Sequence, residues 1–128
     1  MGYKILIVDD SNIVRKVLMK SLRLAGLDVE RILEAENGQS ALDLLLNEQV
    51  DLIFLDINMP VMNGMEFMER LRKDPGNVAT PVIVISTEGS RERKDTLFER
   101  EIRAYLRKPV TPEILNETVL HVLGGIEQ

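Results

Sequence analysis

Five short apolar runs alternate with five helix-like stretches along the 128-residue chain, and this alternation restricts the possible folds more than any other feature. The apolar runs have strand length and lie at residues 4–8, 31–37, 52–55, 82–85 and 104–107. Between and after them, apolar residues recur at helical spacing. Such alternation predicts parallel strands joined by right-handed crossovers, with helices on both faces of one sheet. We therefore predict a doubly wound α/β domain.

The helical stretches carry recognisable start and stop signals. The first runs from Asn12 to Ala25, and Gly26 follows it, where a helix often ends with a residue at positive φ. Its apolar residues share one helical face: Ile13, Val14, Val17, Leu18 and Leu22. A polar helix is predicted over Arg91–Glu101. The last helix is predicted to have Thr111 as its N-cap, with Pro112 at the first position.

Composition excludes several classes of protein. The chain has no cysteine, so disulfides, thiolate zinc sites and a cysteine nucleophile are excluded. No apolar run approaches the roughly 18 residues that span a bilayer, and no signal-peptide pattern is present, so we expect a cytoplasmic protein without a membrane partner. The net charge is −5, and the basic cluster Arg91, Arg93 and Lys94 is interleaved with acids. We therefore expect a solvated helix face there and no nucleic-acid binding.

Polar side chains follow four of the five predicted strands, at the edge of the sheet where ligands bind in open α/β folds. In chain order these are Asp9 and Asp10, Asp56, Ser86 and Thr87, and Lys108. Adjacent carboxylates repel each other and resist desolvation unless a cation neutralises them. No histidine or cysteine is nearby in sequence, so the pattern favours Mg²⁺, an ion that prefers oxygen ligands.

The same residues are suited to phosphoryl transfer. A carboxylate beside Mg²⁺ can attack a phosphoryl group and form an aspartyl phosphate. Lys108 can pair with that group, and Ser86 can donate a hydrogen bond to one of its oxygens. Taken singly, each acid could begin a turn or cap a helix, as Asp10 or Ser11 could here. Their joint placement is what favours a phosphoryl-acceptor site.

Four motifs in order resemble the receiver domain of bacterial response regulators, specifically the stand-alone chemotaxis type. They are VDD at 8–10, LDINMPVMNG at 55–64, PVIVIST at 81–87 and YLRKP at 105–109. The resemblance covers essentially the whole chain. It implies a flavodoxin-like five-stranded sheet of order 2-1-3-4-5, an order known for this type of protein. It also implies one monomeric receiver domain over residues 1–128, without an output domain.

The resemblance also implies a metal site that binds one Mg²⁺. Asp56 is the expected phosphorylation site. Asp10, Asp56 and the backbone carbonyl of Asn58 are the expected direct Mg²⁺ ligands, while Asp9 is expected to act largely through bound water. Asn58 and Glu88 fall where the family tunes the lifetime of the aspartyl phosphate.

Further roles are implied at the ends of the fourth and fifth strands. Ser86 and Lys108 are expected to contact the phosphoryl group. Ser86 and Thr87 are adjacent, and counting from both neighbouring motifs favours Ser86 as the hydroxyl, with Thr87 in the small-residue position. Tyr105 is the expected switch aromatic. The bond from Lys108 to Pro109 is cis in the family.

The implied function is Mg²⁺-dependent acceptance of a phosphoryl group from a histidine kinase, followed by phosphorylation-dependent docking to another protein. Expected partners are that kinase, flagellar motor switch or chemotaxis proteins, and a phosphatase. Such a protein catalyses its own phosphorylation and dephosphorylation but acts in signalling rather than as a turnover enzyme. Two alternatives remain open: a phosphorelay shuttle, and a pseudo-receiver that docks without phosphorylation.

Two positions depart from the family pattern. Receivers usually have a small-glycine-small turn before the fifth strand, whereas this chain has Arg100-Glu101-Ile102. Glycine would supply a left-handed helix cap at little cost, so either the fourth helix ends differently or backbone strain is tolerated. Val110 replaces an aromatic residue that is frequent after the Lys-Pro pair.

Overall fold

The computed structural model describes residues 2–87 and 91–127, which contain five strands and five helices. The strands are β1 (Tyr3–Val8), β2 (Val29–Ala35), β3 (Leu52–Leu55), β4 (Val82–Ser86) and β5 (Ala104–Arg107). The helices are α1 (Asn12–Leu24), α2 (Gly38–Leu45), α3 (Gly64–Lys73), α4 (Arg91–Glu99) and α5 (Pro112–Glu127). All strand pairs are parallel and the order is β2-β1-β3-β4-β5. The predicted fold class and strand order are confirmed.

The sheet separates two hydrophobic cores, because successive side chains of a strand point to opposite faces. Leu6, Val8 and Leu55 lie in the core that includes residues of α2, α3 and α4. Ile7 and Phe54 lie in the core on the other face, with residues of α1 and α5. Because both faces are covered, the strands read as continuous apolar runs rather than as alternating ones.

Most helix ends follow the predicted signals. The Ser11 hydroxyl accepts a hydrogen bond from the Val14 N–H (3.2 Å) at the start of α1, and Gly26 follows the helix at a φ of 77°. The Thr111 hydroxyl accepts from the Ile114 N–H (3.2 Å), so the predicted N-cap of α5 is confirmed. Strand β2 lies two residues earlier than predicted at both ends. Within residues 2–87 and 91–127, no helix has the length and apolar character needed to cross a membrane.

The fourth helix ends at Glu99, two residues before the predicted end, and closes with a left-handed cap that lacks glycine. Glu101 has a φ of 67°. Its N–H donates to the Phe98 carbonyl (3.0 Å), and the Ile102 N–H donates to the Leu97 carbonyl (3.3 Å). This is the Schellman pattern, in which glycine is the usual left-handed residue. A side chain in that conformation costs roughly 1–2 kcal/mol.

Arg72 of α3 offsets the cost of that cap. Its Nε donates to the Arg100 carbonyl (3.1 Å) and its Nη2 to the Glu101 carbonyl (3.0 Å), while Nη1 donates to the Thr80 carbonyl (2.9 Å). Burial lowers the pKa of Arg72, but a guanidinium stays charged in proteins, so these are charge-assisted hydrogen bonds. One side chain thus ties α3 to the turn before β4 and to the turn between α4 and β5.

The apolar face of α1 is buried only in part. Leu22 is fully buried, whereas the side chains of Ile13 and Val17 are 76% and 60% exposed. Helical spacing predicts that these residues share a face. It does not predict that two of them, Ile13 and Val17, are exposed to solvent.

Candidate functional site

The topology brings the three predicted carboxylates together. Strands β1 and β3 are neighbours, with Val8 opposite Leu55, so the residues that follow them emerge side by side. One carboxylate oxygen from each of Asp9, Asp10 and Asp56 lies within 4.8 Å of the others. Asp9 and Asp56 are buried, and Asp10 is exposed. The cluster therefore has an open side.

Asp9 is held on both of its carboxylate oxygens. Oδ1 accepts from the backbone N–H of Ser11 (2.9 Å), and Oδ2 accepts from the Lys108 ammonium (2.9 Å). The Asp9 carbonyl also accepts from Arg15 Nη1 (2.6 Å). These contacts fix Asp9 as the most firmly held acid of the three.

Lys108 directly follows β5, the edge strand of the sheet, and its side chain extends to two of the acids. Its N–H donates to the Ser86 carbonyl (3.0 Å), which continues the pairing of β5 with β4, and the next peptide bond, to Pro109, is cis. The ammonium lies 2.9 Å from Asp9 Oδ2 and 3.8 Å from Asp56 Oδ2. The Lys108 ammonium therefore lies beside two carboxylates and closer to that of Asp9.

The Asp56 carboxylate is costly to ionise in this place. Burial raises its pKa above the ordinary value, and the nearby charges of Asp9 and Asp10 raise it further. The Lys108 ammonium and the Ile57 N–H, which donates to Asp56 Oδ1 (2.9 Å), act in the opposite direction. Burial has the largest effect, and it favours the protonated form of Asp56. A cation bound at the open side of the cluster would favour the ionised form.

The donor set fits Mg²⁺. One oxygen from each of three carboxylates lies close enough to the others for all three to bind a single ion. A hard divalent cation prefers such oxygen ligands. The carbonyl of Asn58 follows two residues after Asp56 in the same loop. The carboxylates that could hold the ion are therefore those of Asp9, Asp10 and Asp56, and the Asn58 carbonyl is a further oxygen in the adjoining loop.

Three further predicted residues lie on β4 or β5 or directly after β4. Ser86 is fully buried at the end of β4, whereas Thr87 is exposed. Tyr105 is half-buried on β5, and the Lys94 ammonium lies 5.6 Å from its ring centroid, a cation–π distance. Glu88 lies outside the described residues.

Arg93 makes a contact that the sequence does not predict. Its sequence context indicates only a solvated helix face, but its Nη1 donates to the Asn58 side-chain oxygen (3.2 Å). The contact joins α4 to the loop that follows Asp56. No sequence signal could have revealed it, because it depends on how a helix packs beside a loop 35 residues earlier.

Gly64 allows the loop after Asp56 to close. Its N–H donates to the Ile57 carbonyl (2.8 Å), and a Cβ built on it would lie 2.7 Å from the Asp56 carbonyl oxygen and 2.8 Å from Ile57 Cα. Both obstacles are backbone atoms, so the loop itself would have to shift. We expect Gly64→Ala to lower the free energy of unfolding by about 1–3 kcal/mol, as overpacking typically does. Urea denaturation measures this change.

Gly124→Ala is the matched control, because a Cβ at this helical position meets no atom within 4 Å. Alanine in a helix is favoured over glycine by roughly 0.5–1 kcal/mol, so this variant should be more stable than the wild type. Equal effects of the two substitutions would contradict the steric explanation.

Comparisons with known proteins cover nearly the whole chain. The response regulator receiver domain family matches residues 5–120. A chemotaxis protein CheY homolog of Campylobacter jejuni is 38% identical over 122 residues, which are 94% of this chain and 92% of the relative. Protein PilH of Pseudomonas aeruginosa is 37% identical and covers 95% and 98% of the two chains. The structure of the Vibrio cholerae chemotaxis protein CheY4 has a TM-score of 0.86 at 34% identity, over 96% of this chain and 100% of that one.

Proposed function

Because the chain belongs to the response regulator receiver domain family, we propose that Asp56 accepts a phosphoryl group from a histidine kinase and that the phosphorylated protein docks to a signalling partner. The observation that carries this proposal is the cluster of three carboxylates around Asp56, with the Lys108 ammonium at its side. In the family context, this arrangement matches a nucleophile with a cation site and a phosphoryl-pairing lysine.

In the proposed reaction, a carboxylate oxygen of Asp56 attacks the phosphorus of the donor phosphohistidine. A P–O bond forms, the P–N bond breaks, and the electron pair leaves with the imidazole. Bound Mg²⁺ would supply screening between the two anions and stabilise charge on the transferring oxygens. Lys108 starts 3.8 Å from Asp56 and would pair with a phosphoryl oxygen while remaining close to Asp9.

The three acids would divide their roles. Asp10 is exposed and Asp56 faces it, so these two are the proposed direct metal ligands, together with the Asn58 carbonyl. Asp9 already accepts hydrogen bonds from Ser11 and Lys108 on its two oxygens. That pairing supports a role for Asp9 through bound water rather than through direct coordination.

Signalling would follow from a shift between two conformers. Phosphorylation adds roughly −1.5 to −2 charge beside Asp56. Ser86 is fully buried, so contact between its hydroxyl and the phosphoryl group would require a local rearrangement at the end of β4. Such contacts would favour one pre-existing conformer and alter the face formed by α4, β5 and α5, where Lys94 packs on Tyr105.

Incubation with acetyl phosphate tests the chemistry directly. With Mg²⁺ present, we expect intact-mass analysis to show one phosphoryl adduct per chain. With a chelator in place of Mg²⁺, the adduct should be absent or form far more slowly, because the carboxylates would then repel the donor. An adduct that forms equally well without a divalent cation would contradict the proposed role of the metal.

We propose a role in chemotaxis or flagellar motor control, which is supported by the names of similar proteins in Campylobacter jejuni and Vibrio cholerae, both called chemotaxis proteins. PilH has almost the same identity without such a name, so a phosphorelay shuttle is the second candidate. A motor ligand should bind its partner more tightly when phosphorylated, whereas a shuttle should pass labelled phosphate to another histidine protein. Equal partner affinity in both states, without onward transfer, would leave only a phosphorylation-independent docking module.

A further inference from the structure

We propose that an apolar pocket beside Asp56 binds the organic group of a small phosphodonor, so that the protein reacts faster with an aromatic acyl phosphate than with acetyl phosphate. This inference rests on the proposed function, because it concerns the donor used by the same phosphoacceptor site.

The pocket has a cavity volume of about 240 Å³ and lies between α1, the sheet and the segment after β5. Phe54 lies at its buried floor, and Ile13 and Val17 line its exposed side. Asp56 and Lys108 also line it, so the pocket is continuous with the phosphoacceptor site. The other lining residues are almost all apolar.

Val110 lines the pocket directly after Pro109. Its small side chain leaves room in which an aromatic ring could lie. A dry apolar cavity of about 150 Å³ is large enough for benzene. The space beside Val110 is therefore sufficient for a phenyl ring.

Charge selects the kind of molecule that suits this space. A simple carboxylate could pair with Lys108 but has no phosphoryl group for Asp56 to accept. A neutral apolar molecule would fill the floor but make no use of Lys108. An acyl phosphate meets both requirements, because its phosphoryl group suits the cation site and Lys108 while its organic group is apolar. Acetyl phosphate carries only a methyl group, which is too short to cover Ile13 and Val17.

The proposed transfer is balanced without any further reactant. A carboxylate oxygen of Asp56 forms a P–O bond, and the P–O bond to the acyl oxygen breaks. The electron pair leaves with the acyl group as a free carboxylate, and no proton or electron is exchanged. The attacking and leaving oxygens lie roughly in line in such a transfer, so the acyl group departs from the side of phosphorus opposite Asp56. The carboxylate product is then repelled by the acids, which favours its release.

The test compares benzoyl phosphate with acetyl phosphate, both with Mg²⁺, and follows the phosphoryl adduct by intact mass at low donor concentration. Burial of roughly 60 Å² of apolar surface favours binding about tenfold. We therefore expect the benzoyl-to-acetyl rate ratio of the wild type to exceed that of Val110→Phe by about tenfold, because phenylalanine would fill the pocket. Comparing ratios between variants removes the different intrinsic reactivities of the two donors.

Two further variants control this comparison. Val17→Ser changes an exposed side chain at the pocket and should lower the ratio without threatening the fold. Ile114→Phe adds an aromatic ring at a partly exposed position of α5 that does not line the pocket, and it should keep the wild-type ratio. As a binding readout, benzylphosphonate should bind the wild type more tightly than methylphosphonate does, and Val110→Phe should remove the difference.

The outcomes separate the two proposals. Both donors could form adducts with the same benzoyl-to-acetyl rate ratio in the wild type, Val110→Phe and Val17→Ser. That result would overturn the pocket proposal and leave the phosphoacceptor function intact. If neither donor gives an adduct with Mg²⁺ present, the phosphoacceptor function is overturned, and the pocket proposal with it.

Discussion

Asp56→Asn is expected to abolish the phosphoryl adduct and, in metal-free buffer, to make the protein more stable. The first effect follows because an amide oxygen is too weak a nucleophile to replace the carboxylate. The second follows because the substitution removes one of three negative charges whose oxygens lie within 4.8 Å of one another. Asparagine can still accept the hydrogen bond from the Ile57 N–H, and Lys108 keeps its closer partner, Asp9.

The stability gain should depend on pH in a defined direction. The folded-state pKa of Asp56 is raised above its ordinary value of 3.8, so the folded protein holds this proton more tightly than the unfolded chain. The stability associated with that proton is present below the ordinary value and is lost as pH rises through the folded-state pKa. The advantage of Asp56→Asn should therefore be largest at neutral pH and should disappear as the pH falls towards 3.8.

Thermal unfolding in a chelating buffer at several pH values measures this effect. At neutral pH we expect a rise in Tm of a few degrees, the shift that about 1 kcal/mol produces in a domain of this size. Saturating Mg²⁺ should reverse the order, because it stabilises the wild type by binding its folded state. If Asp56→Asn is less stable than the wild type at neutral pH without metal, repulsion among the three carboxylates is not the dominant effect at this position. An adduct on the variant at the wild-type rate would place phosphorylation on another residue.

Arg72→Met is expected to lower the free energy of unfolding by about 2–4 kcal/mol, a large loss for a single substitution. Methionine keeps much of the apolar stem but removes the donors that hold the carbonyls of Arg100, Glu101 and Thr80. Hydrogen bonds from a charged donor contribute roughly 1.5–3 kcal/mol each. At a partly exposed site, water can replace some of the lost donors, so the expected loss is smaller than the sum of the three bonds. The strained left-handed conformation of Glu101 would then lack the contacts that offset it.

Chemical denaturation measures this loss, and Arg70→Met is the matched control on the same helix. Arg70 is exposed, so its substitution should change the free energy of unfolding by no more than about 0.5 kcal/mol. A second variant, Arg72→Met combined with Glu101→Gly, should recover part of the loss, because glycine accepts positive φ at little cost. Equal stability of the Arg72 and Arg70 variants would show that the α4–β5 turn does not depend on the guanidinium.

The location of the acid cluster could be predicted from sequence because it depends on local rules and one topological rule. Apolar runs of strand length mark the strands, and an acid directly after a strand must lie at the strand's carboxyl end. In a parallel sheet these ends share one edge, so Asp10 and Asp56 meet without any knowledge of side-chain positions. The motifs around them then place the chain in its family before any distance is known.

The end of α4 could not be predicted in the same way. Helical spacing continues to Glu101, but the helix stops at Glu99 because a left-handed residue is tolerated two positions later. The carbonyl of that left-handed residue accepts a hydrogen bond from Arg72, a residue 29 positions away in the chain. Local sequence patterns contain no record of such a partner.

By itself, the sequence determined the α/β fold class and the set of acids at one edge, since both follow from residue spacing, and its resemblance to a family implied the strand order. Only the tertiary structure decided which acid Lys108 holds, at a separation of 99 residues, and that Ile13 and Val17 stay exposed beside an open pocket. The physical reason is that pairing and burial depend on distances between elements remote in sequence, whereas periodicity reports only which face of an element is apolar.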